Sequence, residues 1–220
     1  MAGNIIDNIE ANPVIAAIRN EEDIEIAIKS EVSSVFLLKV DIFNVDGYVR
    51  KIKNSGKHVF VHFEFLEGLG RDNKAIDYIA EVIKPDGIIT TRSNHVKYAE
   101  ERGLFTIQRF FLVDSQSYET AIKSLQNVKP DMIEIMPAVM PNVIRRFKKE
   151  VAIPVIAGGL IDSKEDIIDI LKAGALEFLQ ERRSFGGYKV RRHIFLSHWL
   201  HWDTLPRGTS ISFGERNVLF

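Results

Sequence analysis

Cysteine is absent from the 220-residue chain, which excludes disulfides, thiolate nucleophiles and cysteine-ligated zinc. Long apolar runs are absent too: none approaches the roughly 18 residues that a membrane-spanning helix needs. The first residues, MAGNIIDNIEANP, hold no basic stretch followed by an apolar one, so neither membrane insertion nor secretion is expected and the cytoplasm is the expected compartment. The six histidines form no HExxH pattern, so no metal and no cofactor are expected. Chemistry, where there is any, falls to oxygen and nitrogen groups.

Net charge is scarce as well, formally -1 from 29 Lys and Arg against 30 Asp and Glu. The balance is uneven along the chain. Residues 182–220 hold 7 basic and 2 acidic side chains, leaving 22 basic and 28 acidic in residues 1–181. An acidic body lacks the whole-surface basic footprint of a nonspecific nucleic-acid binder, so any RNA contact must be a local patch.

What the sequence does have is alternation. Runs rich in Val, Ile and Phe occupy residues 13–18, 34–40, 58–63, 87–91, 105–113, 132–136 and 153–157, with a weaker eighth near 175–179. Helical patterns lie between them at 21–30, 45–54, 73–83, 94–102, 115–127, 142–150 and 163–173, several preceded by a capping Ser, Asn or Asp. Lys-Pro-Asp recurs at Lys84–Asp86 and Lys129–Asp131, each time just before an apolar run. Proline there stops one helix and feeds an extended segment. Continuous apolar strands separated by helices predict a small parallel (β/α)8 TIM-type barrel. An open doubly wound sheet is the competitor, but Ile18-Arg19-Asn20-Glu21, after the first strand, lacks the glycines of a dinucleotide loop.

In such barrels function sits at the C-terminal ends of the strands. The polar residues there are Arg19, Lys39, Asp41, His62, Glu64, Arg92, Gln108, Arg109, Glu134 and the pair Gly158-Gly159. Cations that make charge-assisted bonds, set among carboxylates that accept hydroxyl protons, suit a small phosphorylated polyol. Gly158-Gly159 allows close backbone approach to an anion, and the following helix is expected to add its dipole. Taken singly, Lys39 and Arg109 read better as structural ion pairs and His62 as a core histidine; their co-location at the strand ends is what raises the set. Glu64 and Glu134 also fit the acid and base of an isomerase or lyase, with Lys39 as a Schiff-base candidate. Arg145, Arg146, Lys148 and Lys149 form a basic helix, a candidate RNA contact although most such clusters are solvated faces.

Several blocks together carry a resemblance: VIAAIR at 14–19, VH at 61–62, EGL at 67–69, RD at 71–72, PDGIITTR at 85–92, IQRFF at 107–111, IEIMP at 133–137 and AGGLI at 157–161. Over about residues 5–176 the chain resembles the glycerol uptake operon antiterminator regulatory protein family. The resemblance implies a TIM-type barrel that binds glycerol 3-phosphate and acts on leader mRNA of glycerol-utilisation genes to prevent premature termination. It implies a regulator, not an enzyme. Its ligand-binding candidates are Arg19, Lys39, His62, Glu64, Arg92, Arg109, Glu134, Gly158 and Gly159. Two local departures are Ala138, where the family usually has Gly, and Glu64, where it usually has Asp. The alternative reading is a TIM-barrel isomerase or lyase acting on a small phosphorylated polyol or triose. A homo-oligomer is compatible with the sequence, which does not set a subunit number.

The larger departure follows Leu176. By the resemblance, the family continues with a Ser-Thr pair that completes the phosphate cup and a short helix ending in Leu-Trp. This chain reads EFLQERRSFG from Glu177. Back-translated as GAA TTT CTA CAA GAA AGG AGG AGC TTT GGG and read from the third base, that string gives Ile-Ser-Thr-Arg-Lys-Glu-Glu-Leu-Trp, the family ending. The expectation is a ligand-sensing barrel over residues 1–180 whose last βα unit is disrupted, then an atypical tail over 181–220, frameshift-derived and disordered. A genuine extension making an oligomer or RNA contact is the alternative.

Overall fold

The computed structural model describes residues 2–138, 140–181, 210–213 and 216–219. Eight parallel strands form a closed barrel. They are β1 Val14–Ile18, β2 Ser34–Leu37, β3 His58–His62, β4 Gly87–Thr90, β5 Phe105–Phe111, β6 Met132–Met136, β7 Val155–Gly158 and β8 Glu177–Glu181. Each pairs with its sequence neighbours, and β8 closes the ring against both β7 (Phe178 opposite Ala157) and β1 (Val14 opposite Phe178). The strand of the last βα unit is thus formed, where disruption was expected. Whatever follows Glu181, up to residue 209, lies outside the described residues. Ser210–Phe213 and Arg216–Leu219, within the expected tail, pair antiparallel.

Period-two alternation sorts the strand side chains into two layers. Ile15, Phe36, Phe60, Phe105, Ile107, Met132 and Ile156 fill the inside of the barrel. Its phenyl rings meet edge to face, Phe36 on Phe60 at 5.5 Å and Phe60 on Phe105 at 5.6 Å between centroids, the arrangement that ring quadrupoles favour. The alternate residues, among them Val35, Val59, Val61 and Ile88 on one side and Ile133, Ile135 and Val155 on the other, pack outward against helices. These are α2 Glu21–Lys29, α3 Val45–Asn54, α4 Asn73–Tyr78, α5 Ser93–Glu101, α6 Ser115–Asn127, α7 Pro141–Glu150 and α8 Lys164–Lys172.

Two features went unpredicted. Helix α1, Ala2–Ala11, precedes the first strand and buries Ile5 and Ile9 among the inner-layer residues, sealing the N-terminal end of the barrel. Burying each such side chain is worth roughly 1.5–3 kcal/mol. The run at 34–40 is also not one strand. Past Leu37 the chain leaves the barrel, and Val40–Asp41 pairs with Leu66–Glu67 in a short parallel ladder at the opposite, C-terminal end.

The repeated Lys-Pro-Asp motif has a structural role beyond stopping helices. Asp86 Oδ2 accepts from the Val59 amide at 2.9 Å, and Asp131 Oδ2 accepts from the Thr106 amide at 2.8 Å. Each aspartate pins the start of the preceding strand, so the two copies fix register at equivalent places in the ring.

Candidate functional site

Inward-facing positions along β3, β5 and β6 are apolar at Phe60, Ile107 and Met132, then turn polar two residues further on, at His62, Arg109 and Glu134. The C-terminal end of the barrel interior is therefore lined by charge and imidazole rather than hydrocarbon. Arg109 Nε donates to Glu134 Oε2 at 2.7 Å, with both side chains almost wholly buried. Register places these residues directly opposite one another. Part of the guanidinium is unused, since Arg109 Nη2 is buried without a hydrogen-bond partner among the described residues.

His62 lies on the same interior surface, 1% exposed, and stacks on Phe65 with ring centroids 4.1 Å apart and planes 18° from parallel. Its Nδ1 is 3.4 Å from Glu64 Oε2 without hydrogen-bond alignment, so both ring nitrogens lack a bonded partner among the described residues. Burial, then the nearby positive charges of Arg109 and Arg19, hold its pKa down at about 3. His62 is accordingly neutral at physiological pH, one nitrogen a donor and the other an acceptor. A neutral imidazole with both nitrogens unused suits hydroxyl groups.

Glu64 is held from below. Its Oε1 accepts from Thr90 Oγ1 at 2.5 Å and from the Thr91 amide at 3.1 Å. Thr90 Oγ1 also meets His95 Nδ1 at 3.2 Å. Burial lowers the His95 pKa, partly offset by the Glu64 charge. Glu64 Oε2 stays without a bonded partner among the described residues.

Beside this cluster, β7 ends in the glycine pair. A Cβ on Gly158 would stand 2.6 Å from Glu134 Oε1, so only glycine leaves room for the carboxylate. Gly159 and Leu160 both have positive φ, 77° and 58°, and the Ala138 amide donates to the Gly158 carbonyl at 2.7 Å. Two consecutive residues of positive φ turn the chain sharply as it leaves β7. The expected contribution from the next helix is corrected by its own cap. Ser163 and Asp166 form a reciprocal capping box, and Glu165 adds a second carboxylate in the first turn of α8. The N-terminus of α8 is already occupied by negative charge.

The structure thus brings together His62, Glu64, Arg109, Glu134 and Gly158, with Gly159 adjacent and Arg19 close enough to act on His62. Lys39 and Arg92 stand exposed on the rim. Two polar residues expected at the mouth point elsewhere. Gln108 faces outward, its Nε2 donating to Ser93 and Ser124 at 3.0 and 3.3 Å between α5 and α6. Asp41 folds back on its own turn, accepting from the Phe43 amide at 2.8 Å and Asn44 Nδ2 at 2.8 Å. Phe65, Thr90 and His95 escaped the sequence reading, although Thr90 sits inside the DGIITTR block. The basic residues of α7 lie on its exposed face. There Arg145 donates to Asn142 Oδ1 at 2.6 Å, and Arg146 donates to Glu150 at 3.3 Å while covering the Tyr118 ring. Among the described residues no His, Asp and Glu group has the arrangement of a metal site, and no helix is long and apolar enough to cross a membrane.

The chain is similar to known proteins in sequence and in fold. The uncharacterized protein YgcP of Escherichia coli (strain K12) is 37% identical over 168 residues, covering 76% of this chain and 88% of that one. The crystal structure of a glycerol uptake operon antiterminator regulatory protein from Listeria monocytogenes superposes with a TM-score of 0.76 at 31% identity, over 80% of this chain and 96% of the other. A glycerol uptake operon antiterminator-related protein from Thermotoga maritima MSB8 superposes at 0.68 with 32% identity, over 76% and 93%. The family model for the glycerol-3-phosphate responsive antiterminator matches residues 14–180. With that match spanning well over half its length, the chain belongs to the glycerol-3-phosphate responsive antiterminator family.

Proposed function

We propose that this chain binds glycerol 3-phosphate at the C-terminal mouth of its barrel and, as a transcription antiterminator, acts on leader mRNA of glycerol-utilisation genes in the cytoplasm. One observation carries the ligand site: beside the Gly158-Gly159 turn, buried polar atoms of His62, Glu64 and Arg109 have no bonded partner among the described residues. Leaving such groups unmade costs about 1–3 kcal/mol each, which a polyol with three oxygens would recover. In this reading the phosphate sits on the Gly158–Leu160 amides with Arg19 as counter-charge. The hydroxyls meet His62, Arg109 Nη2 and Glu64.

The protein works as a sensor in this reading and not as a catalyst. Glu134, one half of the acid-base pair an isomerase would need, is engaged by Arg109, and Lys39 is exposed rather than desolvated as a Schiff-base lysine must be. The test is a calorimetric titration with glycerol 3-phosphate set against glycerol and inorganic phosphate. Tight binding of the whole ligand, weak binding of either fragment and no turnover are expected. Conversion of glycerol or triose phosphates, lost in Glu64→Gln, would instead establish an enzyme.

A further inference from the structure

We propose that single-stranded RNA lies across the C-terminal rim of the barrel, its bases stacking on Phe43 and Phe65 and its phosphates meeting Lys39, Arg71 and Arg92. The inference rests on the antiterminator reading above and assigns it a surface: ligand within the mouth, RNA over it.

Exposed aromatic rings mark the place. Phe43 is 96% exposed and Phe65 47%, and both flank the Val40–Asp41 and Leu66–Glu67 ladder. Sequence-tolerant stacking on such rings, with cations tracking the backbone, is how proteins hold single strands. Lys39, Arg71 and Arg92 are exposed on this same end, and none forms an ion pair among the described residues. On the outer helices, by contrast, Arg50 pairs with Asp46, Lys51 with Glu25 and Arg102 with Asp77.

The rim also carries carboxylates, but several are spent on backbone. Asp41 holds the Phe43 and Asn44 amides, Asp72 caps α4 through the Ala75 amide, and Asp114 caps α6 through the Ser117 amide. Glu21, which bonds the Tyr48 hydroxyl, and the exposed Glu22 and Glu67 remain to oppose a phosphate. Helices α5 and α7 also begin at this end and carry no carboxylate at the cap or in the first turn, so their positive dipole ends offset part of that charge. The rival basic face on α7 has two of its four cations already engaged, Arg145 by Asn142 and Arg146 by Glu150.

The Phe65–His62 stack supplies a path between the two partners. A ligand bonded to His62 fixes the imidazole and with it the ring that an RNA base meets. Such coupling is reciprocal, so RNA must raise affinity for glycerol 3-phosphate by the same factor.

The test uses the full chain and an RNA pool of randomised sequence, enriched on it in the presence of glycerol 3-phosphate and read by fluorescence anisotropy. Phe43→Ala is expected to lower RNA affinity about tenfold while calorimetric binding of glycerol 3-phosphate stays unchanged. Lys39→Ala, Arg71→Ala and Arg92→Ala together are expected to reduce the slope of log affinity against log salt by about 2, because each phosphate contact on a single strand contributes about 0.7. Phe65→Ala should abolish the effect of glycerol 3-phosphate on RNA affinity, and Phe65→Tyr should keep it. RNA affinity indifferent to these changes but lost when Arg145, Arg146, Lys148 and Lys149 become alanine overturns the proposal in favour of α7. A dimer that Phe43→Ala splits in sedimentation overturns it in favour of an interface between copies. Failure of the unaltered chain to bind RNA, with or without glycerol 3-phosphate, defeats the antiterminator reading itself.

Discussion

Gly158 and Glu134 compete for one space: a Cβ on the glycine would stand 2.6 Å from Oε1 of the carboxylate. Gly158→Ala is therefore expected to push Glu134 off Arg109, costing roughly 1–3 kcal/mol of stability as overpacking does. It should lower affinity for glycerol 3-phosphate at least tenfold. Denaturant unfolding and calorimetry on the same variant check both effects.

The Arg109–Glu134 pair allows binding and stability to be separated. Glu134→Leu alone leaves a buried guanidinium uncompensated and is expected to cost about 3–5 kcal/mol. Adding Arg109→Met removes the charge and should restore most of that stability, since an apolar pair of similar volume is often as stable. Ligand binding should not return. Recovery of glycerol 3-phosphate affinity in the double variant would show that the pair only supports the fold.

His62 sets a pH dependence whose sign follows from its depressed pKa of about 3. An unfolded chain protonates its histidine near 6.5, before the folded one does, so the unfolded state takes up the proton first as pH falls. The contribution of His62 to stability is complete above about pH 6.5 and declines toward pH 3. Thermal unfolding across that window should show a shallower acid slope in His62→Gln. Affinity for glycerol 3-phosphate should show no inflection near pH 6.5 attributable to this residue.

The C-terminal departure makes a genetic prediction. Codons around Glu177 should read, in the shifted frame, Ile-Ser-Thr-Arg-Lys-Glu-Glu-Leu-Trp; synonymous codons incompatible with that string would end the idea. A chain carrying this ending from position 177 is expected to bind glycerol 3-phosphate more tightly by about 100-fold or more, because two or so charge-assisted bonds to phosphate at roughly 1.5–3 kcal/mol each would be regained. Calorimetry on the two chains side by side measures it.

Strand placement was largely legible, because a parallel strand covered on both faces is apolar throughout and punctuated by Pro, Gly and caps. The runs at 58–63 and 132–136 became β3 and β6 almost residue for residue. Helix α1 was not, although Ile5, Ile6 and Ile9 carry helical spacing: a short segment with few apolar positions takes its helicity from the barrel it plugs. The candidate site was legible as a set of strand ends but not as a set of directions. Gln108 and Arg109 are consecutive, and alternation sends one outward to Ser93 and Ser124 and the other inward to Glu134.

By itself, the amino-acid sequence determined the repeating βα order, the parallel barrel and, through its motif blocks, the family, because periodicity and local chemistry are written residue by residue. Only the tertiary structure decided which polar side chains share the interior, that a side chain at Gly158 would displace the Glu134 carboxylate, and that Phe65 lies on His62. Those relations depend on how strands distant in sequence are staggered around the ring, and stagger is set by packing across the whole barrel rather than by any local stretch.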